Sequence, residues 1–343
     1  MASGQAVCDD RDKQVDTAGQ IICRLDPGSD APPEILSRFA DRSAPEPAVA
    51  KLPLAVSLVQ SLRVHQWTKN ALIVTPVVTS HQIANPRMLV EAALAVVAFS
   101  LCASAMYVLN DLVDLENDRR HPTNRARPFA SGALPTRAGW TLWPLLLAGG
   151  LAVGLLLPLE FLGVLAAYAV TAVAYSLHFK RLMLVDVFTL AALYTLRLVA
   201  GNAATGVAYS AWLLGFAMFL FLSLALVKRV AELHRLRTAE KQPANGRGYL
   251  DCDLELLEIL GLVSGGLAVL VFATYVTSVD VQKLYRHPFL LLLACPLLFY
   301  WITRLWLIAH RGRMVTDPVV FTLRDRAGYL VAALTALILF CAT

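Results

Sequence analysis

A chain of 343 residues that is 57% hydrophobic and 16% charged, with a mean hydropathy of +0.59, cannot cover its apolar surface in water. These values exclude a soluble globular domain, and continuous rather than alternating apolar runs argue against a β-barrel. A net charge of +5 gives no reason to expect a nucleic-acid partner, and six cysteines (Cys8, Cys23, Cys102, Cys252, Cys295, Cys341) with no CxxC suggest neither a disulfide framework nor a cysteine zinc site.

What remains is an all-α, polytopic membrane protein. Residues 1–50 are rich in Asp, Arg, Pro and Ser and lack the apolar core of a secretory signal. Their composition predicts a polar, disordered cytoplasmic tail, which leaves 51–343 as a transmembrane domain. Hydropathy predicts nine transmembrane helices in it, at about 60–80, 88–112, 139–157, 159–178, 182–205, 210–235, 256–278, 287–309 and 326–342.

The loops between them are unequal. Arg119, Arg120, Arg125, Arg127 and Arg137 follow the second helix, and Lys180 and Arg181 follow the fourth. Lys228, Arg229, Arg235, Arg237, Lys241 and Arg247 follow the sixth, and Arg311, Arg313, Arg324 and Arg326 the eighth. The opposite loops carry little beyond Arg87, Glu160, Asp280, Lys283 and Arg286. Because basic loops stay in the cytoplasm, this pattern predicts a multi-pass protein of the inner, cytoplasmic membrane. Its N-terminus is cytoplasmic, its C-terminus external, and its charged end faces the cytoplasm.

The second helix ends in Asn110, Asp111, Asp114 and Asp118, the pattern N-D-x-x-D-x-x-x-D. Offsets of three and four bring the three aspartates to one helix face. Hard carboxylate oxygens suit Mg²⁺, which completes its shell with water and phosphate oxygens. Asp111, Asp114 and Asp118 are therefore candidate metal ligands for a bound diphosphate. A solvated helix end, its acids paired with Arg119 and Arg120, is the plainer reading; the regular spacing and the membrane-edge position favour the metal.

At these residues the stretch "NDLVDLENDRRHPTNRARPFASG" resembles the first Asp-rich motif of the UbiA superfamily of intramembrane prenyltransferases. "SLRVHQWTKNALIV", "YSLHFKRLMLVDVFTLAALYTLRLVAGNAA" and "SLALVKRVAEL" resemble one branch of it, the decaprenyl-phosphate phosphoribosyltransferase type, in order over about residues 55–343. The resemblance implies nine helices around a central cavity, an Mg²⁺-held diphosphate donor and a lipid substrate arriving sideways from the bilayer. The chain departs from the branch at Val64, inside a usual Arg-Pro-His-Gln-Trp, and at Asn124, where lysine is usual.

Members that transfer a prenyl group carry a second Asp-rich motif after the sixth helix. Here that place reads "LALVKRVAELHRLR", with Lys228, Arg229 and Glu232. Cations there suit a donor with phosphate beyond the diphosphate, although positive-inside anchoring, with Glu232 as an i,i+4 partner of Lys228, explains them too. Arg197 lies eleven residues past Asp186, about 16 Å along a helix. A charge that deep faces a polar cavity or an acid on another helix. Lys180 snorkels or, by the resemblance, lies near donor phosphates. Gln66 and Lys69 belong in the cavity, Trp67 fits an interfacial belt, Arg304 snorkels outward, and Asp251 or Asp253 caps the seventh helix.

The expected activity is Mg²⁺-dependent transfer of 5-phosphoribosyl from phosphoribosyl diphosphate to a polyprenyl phosphate. Asp111, Asp114 and Lys228 are the catalytic candidates. The substrate-binding candidates are Gln66, Lys69, Asn110, Arg119, Arg125, Arg127, Tyr175, Lys180, Asp186, Tyr194, Arg197, Arg229 and Glu232. Prenyl transfer to an aromatic or quinone precursor is the rival enzyme; a lipid transporter or lipid-binding membrane protein is the rival of another class. Oligomeric state is left open.

Overall fold

A computed structural model describes residues 13–15, 21–23, 53–120, 124–238, 248–314, 318–322 and 325–343. The rest of the expected tail, and Lys241, Arg247 and Arg324 of the basic loops, lie outside the described residues. The chain divides into two units, Met1–Ala50 and Lys51–Thr343. In the first, β1 (Lys13–Val15) and β2 (Ile21–Cys23) pair antiparallel, with Lys13 opposite Cys23 and Val15 opposite Ile21.

The second unit is helical. Its first expected span is broken into three pieces: α1 (Leu54–Leu62), a 3-10 stretch (Val64–Val74) and α2 (Thr75–Thr79). The break falls at Arg63, which adopts a left-handed conformation with φ of 51°. The carbonyl of Leu62, released by the break, accepts the Ser104 hydroxyl at 2.8 Å, and Ser104 in turn accepts the Trp67 indole N–H at 3.0 Å. Trp67 is thus tied to a neighbouring helix and is not simply an interfacial belt residue.

Helix α3 (Pro86–Val113) begins where the Asn85 side chain accepts the N–H groups of Arg87 and Met88, with proline in the first turn. The short α4 (Leu115–Arg120) follows its end at Asp114. Then come α5 (Thr136–Gly154), α6 (Leu159–Leu177), α7 (Val185–Thr205), α8 (Ala211–Thr238) and α9 (Leu254–Val276). The remainder comprises α10 (Val279–Leu284), a 3-10 turn (Pro288–Leu293) leading into α11 (Ala294–His310), α12 (Pro318–Thr322) and α13 (Arg326–Ala342).

Helices cover most of each expected segment, the first of them in three pieces, so the count of nine continuous helices is not reproduced. Among the described residues, six stretches are long and apolar enough to cross a membrane: α3, α6, α7, residues 211–235 of α8, α9, and the continuous run from Pro288 to His310. The Arg326–Ala342 helix is apolar but shorter. Leu145, Leu155, Leu156, Leu159, Val170 and Phe340 stand exposed, as lipid-facing side chains of a multi-pass membrane protein do.

Helix α7 links the two halves of this unit. Val187, Ala191 and Leu198 pack with α8, α9 and α11, whereas Leu193, Ala200, Ala203 and Ala204 pack with the 3-10 stretch, α3 and α6. Small residues permit the closest approaches, as is usual between helices in membranes. A Cβ on Gly150 would lie 2.9 Å from the Ala98 carbonyl oxygen, and one on Gly201 only 2.1 Å from that of Ile73. The chain therefore needs glycine at 201 for α7 to touch the 3-10 backbone.

Two expected details differ. Arg304 does not snorkel outward: its guanidinium makes a bidentate pair with Asp325, the N-cap of α13. Asp253 occupies the N-cap position of α9 without a side-chain cap, its carboxylate instead accepting the Leu250 N–H at 2.8 Å.

Candidate active site

Between the two packed halves lies a cavity of about 420 Å³, walled by the 3-10 stretch, α3, α6, α7 and α8 and reached by Pro318 of α12. Its size is that of a small-molecule site. Of the residues expected from the sequence, Gln66, Lys69, Asn110, Asp114, Asp118, Arg127, Tyr175, Lys180, Tyr194, Arg197 and Lys228 line it.

The carboxylate end is built where α3 stops. Helical hydrogen bonding continues across the junction, from Asp114 N–H to Asn110 and from Asp118 N–H to Asp114. The three side chains nonetheless take different partners. Asp111 is buried and accepts from Arg63 at 2.5 Å and from Arg127 at 3.2 Å. The same Arg127 nitrogen donates to Asp118 at 2.6 Å, while the Asn124 amide donates to the other Asp118 oxygen at 2.9 Å. Asp114 faces Lys180, whose ammonium lies 2.6 Å from both of its oxygens and 3.5 Å from the Asn110 carbonyl oxygen. The expected single carboxylate face is therefore divided, with one cation between Asp111 and Asp118 and another on Asp114. Asp111 borders a smaller hollow lined by Gln60, His65 and Pro128; Arg63 and Arg127 belong to both walls.

Arg197 lies in the cavity wall among aromatic rings. Its Nε donates to Asn70 at 3.0 Å, its Nη1 to the Leu193 carbonyl at 2.5 Å and its Nη2 to the Tyr168 hydroxyl at 3.4 Å. The guanidinium lies 5.2–5.4 Å from the ring centres of Phe99, Tyr168 and Tyr194. Among the described residues it has no carboxylate partner, so the acid on another helix that the sequence left open is not found there. At 4% exposure, this charge is held entirely by neutral dipoles and ring faces. Lys69 sits over the Tyr194 ring at 5.5 Å, and Lys228 is exposed to the cavity.

Asp186, Arg229 and Glu232 are gathered elsewhere. Arg229 donates to both Asp186 and Glu232, and the Tyr249 hydroxyl donates to Asp186 while accepting the Leu184 N–H at 2.9 Å. Asp186 and Arg229 are almost completely buried, and none of the three lines the cavity. Burial and the Asp186 carboxylate push the Tyr249 phenol above its ordinary pKa, so it remains a donor. Arg119 and Arg125 are exposed and also outside the cavity wall.

The sequence reading did not include Arg63, Tyr107, Asn117 or Tyr168, all of which line the cavity. Arg63 precedes "VHQW", and its role depends on the helix break, for which no glycine or proline gives a local signal. Tyr107, three residues before Asn110, carries the Arg63 guanidinium 5.1 Å above its ring.

Comparison with known proteins agrees with this architecture. The sequence model of the UbiA prenyltransferase family matches residues 71–241. Uncharacterized protein y4nM of Sinorhizobium fredii is 37% identical over 81% of the chain and 54% of its own length. Nodulation protein NoeC of Azorhizobium caulinodans is 33% identical over 80% of the chain and 89% of its own. The decaprenyl-phosphate phosphoribosyltransferase of Corynebacterium glutamicum is 34% identical over 52% of the chain and 55% of its own length. The chain thus spans about half the length of two of these three relatives. A UbiA homologue from Archaeoglobus fulgidus, solved with GPP and Mg²⁺, shares the fold with a TM-score of 0.62 at 18% identity, over 82% of this chain and 99% of that one. An intramembrane cavity with aspartates at the end of one helix, a matching family sequence and a NoeC relative aligned over nearly its whole length lead to one conclusion: the chain belongs to the UbiA prenyltransferase family.

Proposed function

We propose that the chain transfers a 5-phosphoribosyl group from phosphoribosyl diphosphate to a polyprenyl phosphate, releasing pyrophosphate. The observation that carries this reading is that Lys69, Lys180, Arg197 and Lys228 surround one cavity whose other wall bears Asp114 and Asp118. So many cations suit a donor with three phosphates better than a prenyl diphosphate with two. The C. glutamicum relative, by its name, catalyses the same type of transfer.

The donor set fits Mg²⁺. Asp114 and Asp118 present hard oxygens to the cavity beside Asn110 and Asn117, and an ion there would take the place that the Lys180 and Arg127 cations hold against those carboxylates. Asp114 and Asp118 would hold the ion; Asp111, buried behind them, completes the acidic cluster and positions Arg63 and Arg127. The chemistry an ion held there would supply is neutralisation of charge on the departing pyrophosphate.

The protein's own groups do the remainder. Lys228, Lys180 and Arg197 hold donor phosphates and orient the ribose. The bond from ribose C1 to the pyrophosphate oxygen breaks, leaving its electron pair on pyrophosphate, and a lipid phosphate oxygen bonds to C1. The attacking phosphate is already an anion, so no general base is required. Catalysis then rests on positioning and electrostatic stabilisation. The basic loops face the cytoplasm and supply the soluble donor from that side.

The family description and the GPP-bound homologue favour a second reading, prenyl transfer to an aromatic acceptor. Membranes containing the protein are incubated with labelled phosphoribosyl diphosphate and decaprenyl phosphate, or with labelled prenyl diphosphate and 4-hydroxybenzoate. The expected result is a labelled lipid product in the first mixture; product in the second alone overturns the proposal.

A further inference from the structure

His234, Glu258 and His310 come together from three helices, near the ends of α8, α9 and α11. The His310 Nδ1 lies 3.0 Å from both Glu258 oxygens, and the His234 Nε2 lies 3.5 Å from one of them. One ligand atom from each residue lies within 4.8 Å of the others. The two imidazoles meet nearly at right angles, at 88° with 6.4 Å between centres, so their nitrogens approach the carboxylate from different directions. None of the three lines the cavity described above.

We propose that these residues form a site for a divalent transition metal, zinc foremost, separate from the candidate active site. Metal–nitrogen and metal–oxygen bonds of about 2.0–2.2 Å arranged tetrahedrally put neighbouring ligand atoms about 3.3–3.5 Å apart. The observed separations to Glu258, 3.0 and 3.5 Å, bracket that range, and the two histidine ligand atoms lie within 4.8 Å of each other. Two imidazoles and one carboxylate suit zinc or its transition-metal neighbours, whereas Mg²⁺ and Ca²⁺ prefer oxygen throughout. The fourth position is open to water. Access is direct: the His310 side chain is 66% exposed, while Glu258 and His234 lie mostly covered beneath it. A bound ion crosslinks three helix ends. His234 follows Lys228 by six residues, about 9 Å along α8, so the clamp holds the helix that carries this cavity cation.

The rival explanation is a carboxylate paired with protonated histidines, without metal. The two differ in what they bind. The full-length protein in detergent, stripped with a chelator, is titrated with Co²⁺ and then Zn²⁺. The expected result is one Co²⁺ per chain with the intense visible absorption of a low-symmetry ion, displaced by Zn²⁺, and a higher Tm with Zn²⁺. His310→Ala and Glu258→Gln each weaken binding by at least about tenfold, the scale on which even outer-shell changes act. Asp114→Asn leaves the absorption intact, because octahedral all-oxygen sites absorb weakly. His310 is exposed, so the metal-free Tm of His310→Ala stays at that of the unaltered protein, separating lost binding from lost folding. No stoichiometric Co²⁺ absorption, binding unchanged in both variants, or absorption abolished by Asp114→Asn overturns the proposal.

Discussion

Two charge clusters lie in the same helical unit and have opposite fates. At the end of α3, Asp114 and Asp118 face a cavity and are matched by Lys180 and Arg127, which themselves line it. At the start of α7, Asp186 meets Arg229 and Tyr249 in a sealed contact. Both contain acids, an arginine and a helix terminus. The difference is access. Charges that remain partly open can exchange one partner for a ligand, whereas charges sealed away can only hold the structure together.

The largest effect that would sharpen this contrast is on catalysis. Asp114→Asn should reduce turnover by about 10²–10³-fold or more, the scale of losing one preorganised electrostatic contact, with Tm in detergent nearly unchanged. A Tm drop as large as that of a core mutant would break the distinction. Asp186→Asn should behave in reverse. It leaves the buried Arg229 with Glu232 as its remaining carboxylate partner and should cost up to about 3 kcal/mol of stability, the lower end of the cost of an uncompensated buried charge, read as a lowered Tm, with the turnover of the surviving folded fraction within about tenfold of normal. Turnover lost without any change in Tm would place Asp186 with the ligand.

The smallest effect concerns a third pair, Asp325 and Arg304. Burial alone would raise the Asp325 carboxyl, but the bonds from Arg304 and the Gly328 N–H outweigh it and hold the carboxyl below its usual range. A lowered folded-state pKa gives stability that is complete above the ordinary carboxylate value, about 3.9, and disappears as pH falls through the lowered value. The Tm gap between the unaltered protein and Asp325→Asn should therefore be full at neutral pH and close as the pH falls below about 4. A gap that persists under strong acid would show that the carboxylate charge contributes nothing.

Much of this was legible in the sequence because it depends on local period and composition. Apolar runs locate the helices, and N-D-x-x-D-x-x-x-D locates the acidic end of the cavity. What was not legible depends on direction or distance. Lys228 and Arg229 are neighbours, but consecutive helical residues point about 100° apart, so one reaches the cavity and the other the sealed contact. The partner of Arg304 lies 21 residues away, and Tyr249 is 63 residues from Asp186. The outermost ligands of the proposed zinc site, His234 and His310, lie 76 positions apart, and the three form no spacing motif. The break at Arg63 carries no proline or glycine, and Ser104, which makes it tolerable, is 41 positions later.

The bare α-carbon at Gly201 reaches further than its own packing. It sits one helical turn beyond Arg197, and the carbonyl it touches belongs to Ile73, three residues after Asn70, which holds Arg197. The same two backbones therefore fix both the contact and the hydrogen bond beneath the ligand space. A methyl group at that point would act as a wedge, prising apart the floor on which any bound anion rests and altering the depth of the chamber without touching its occupant.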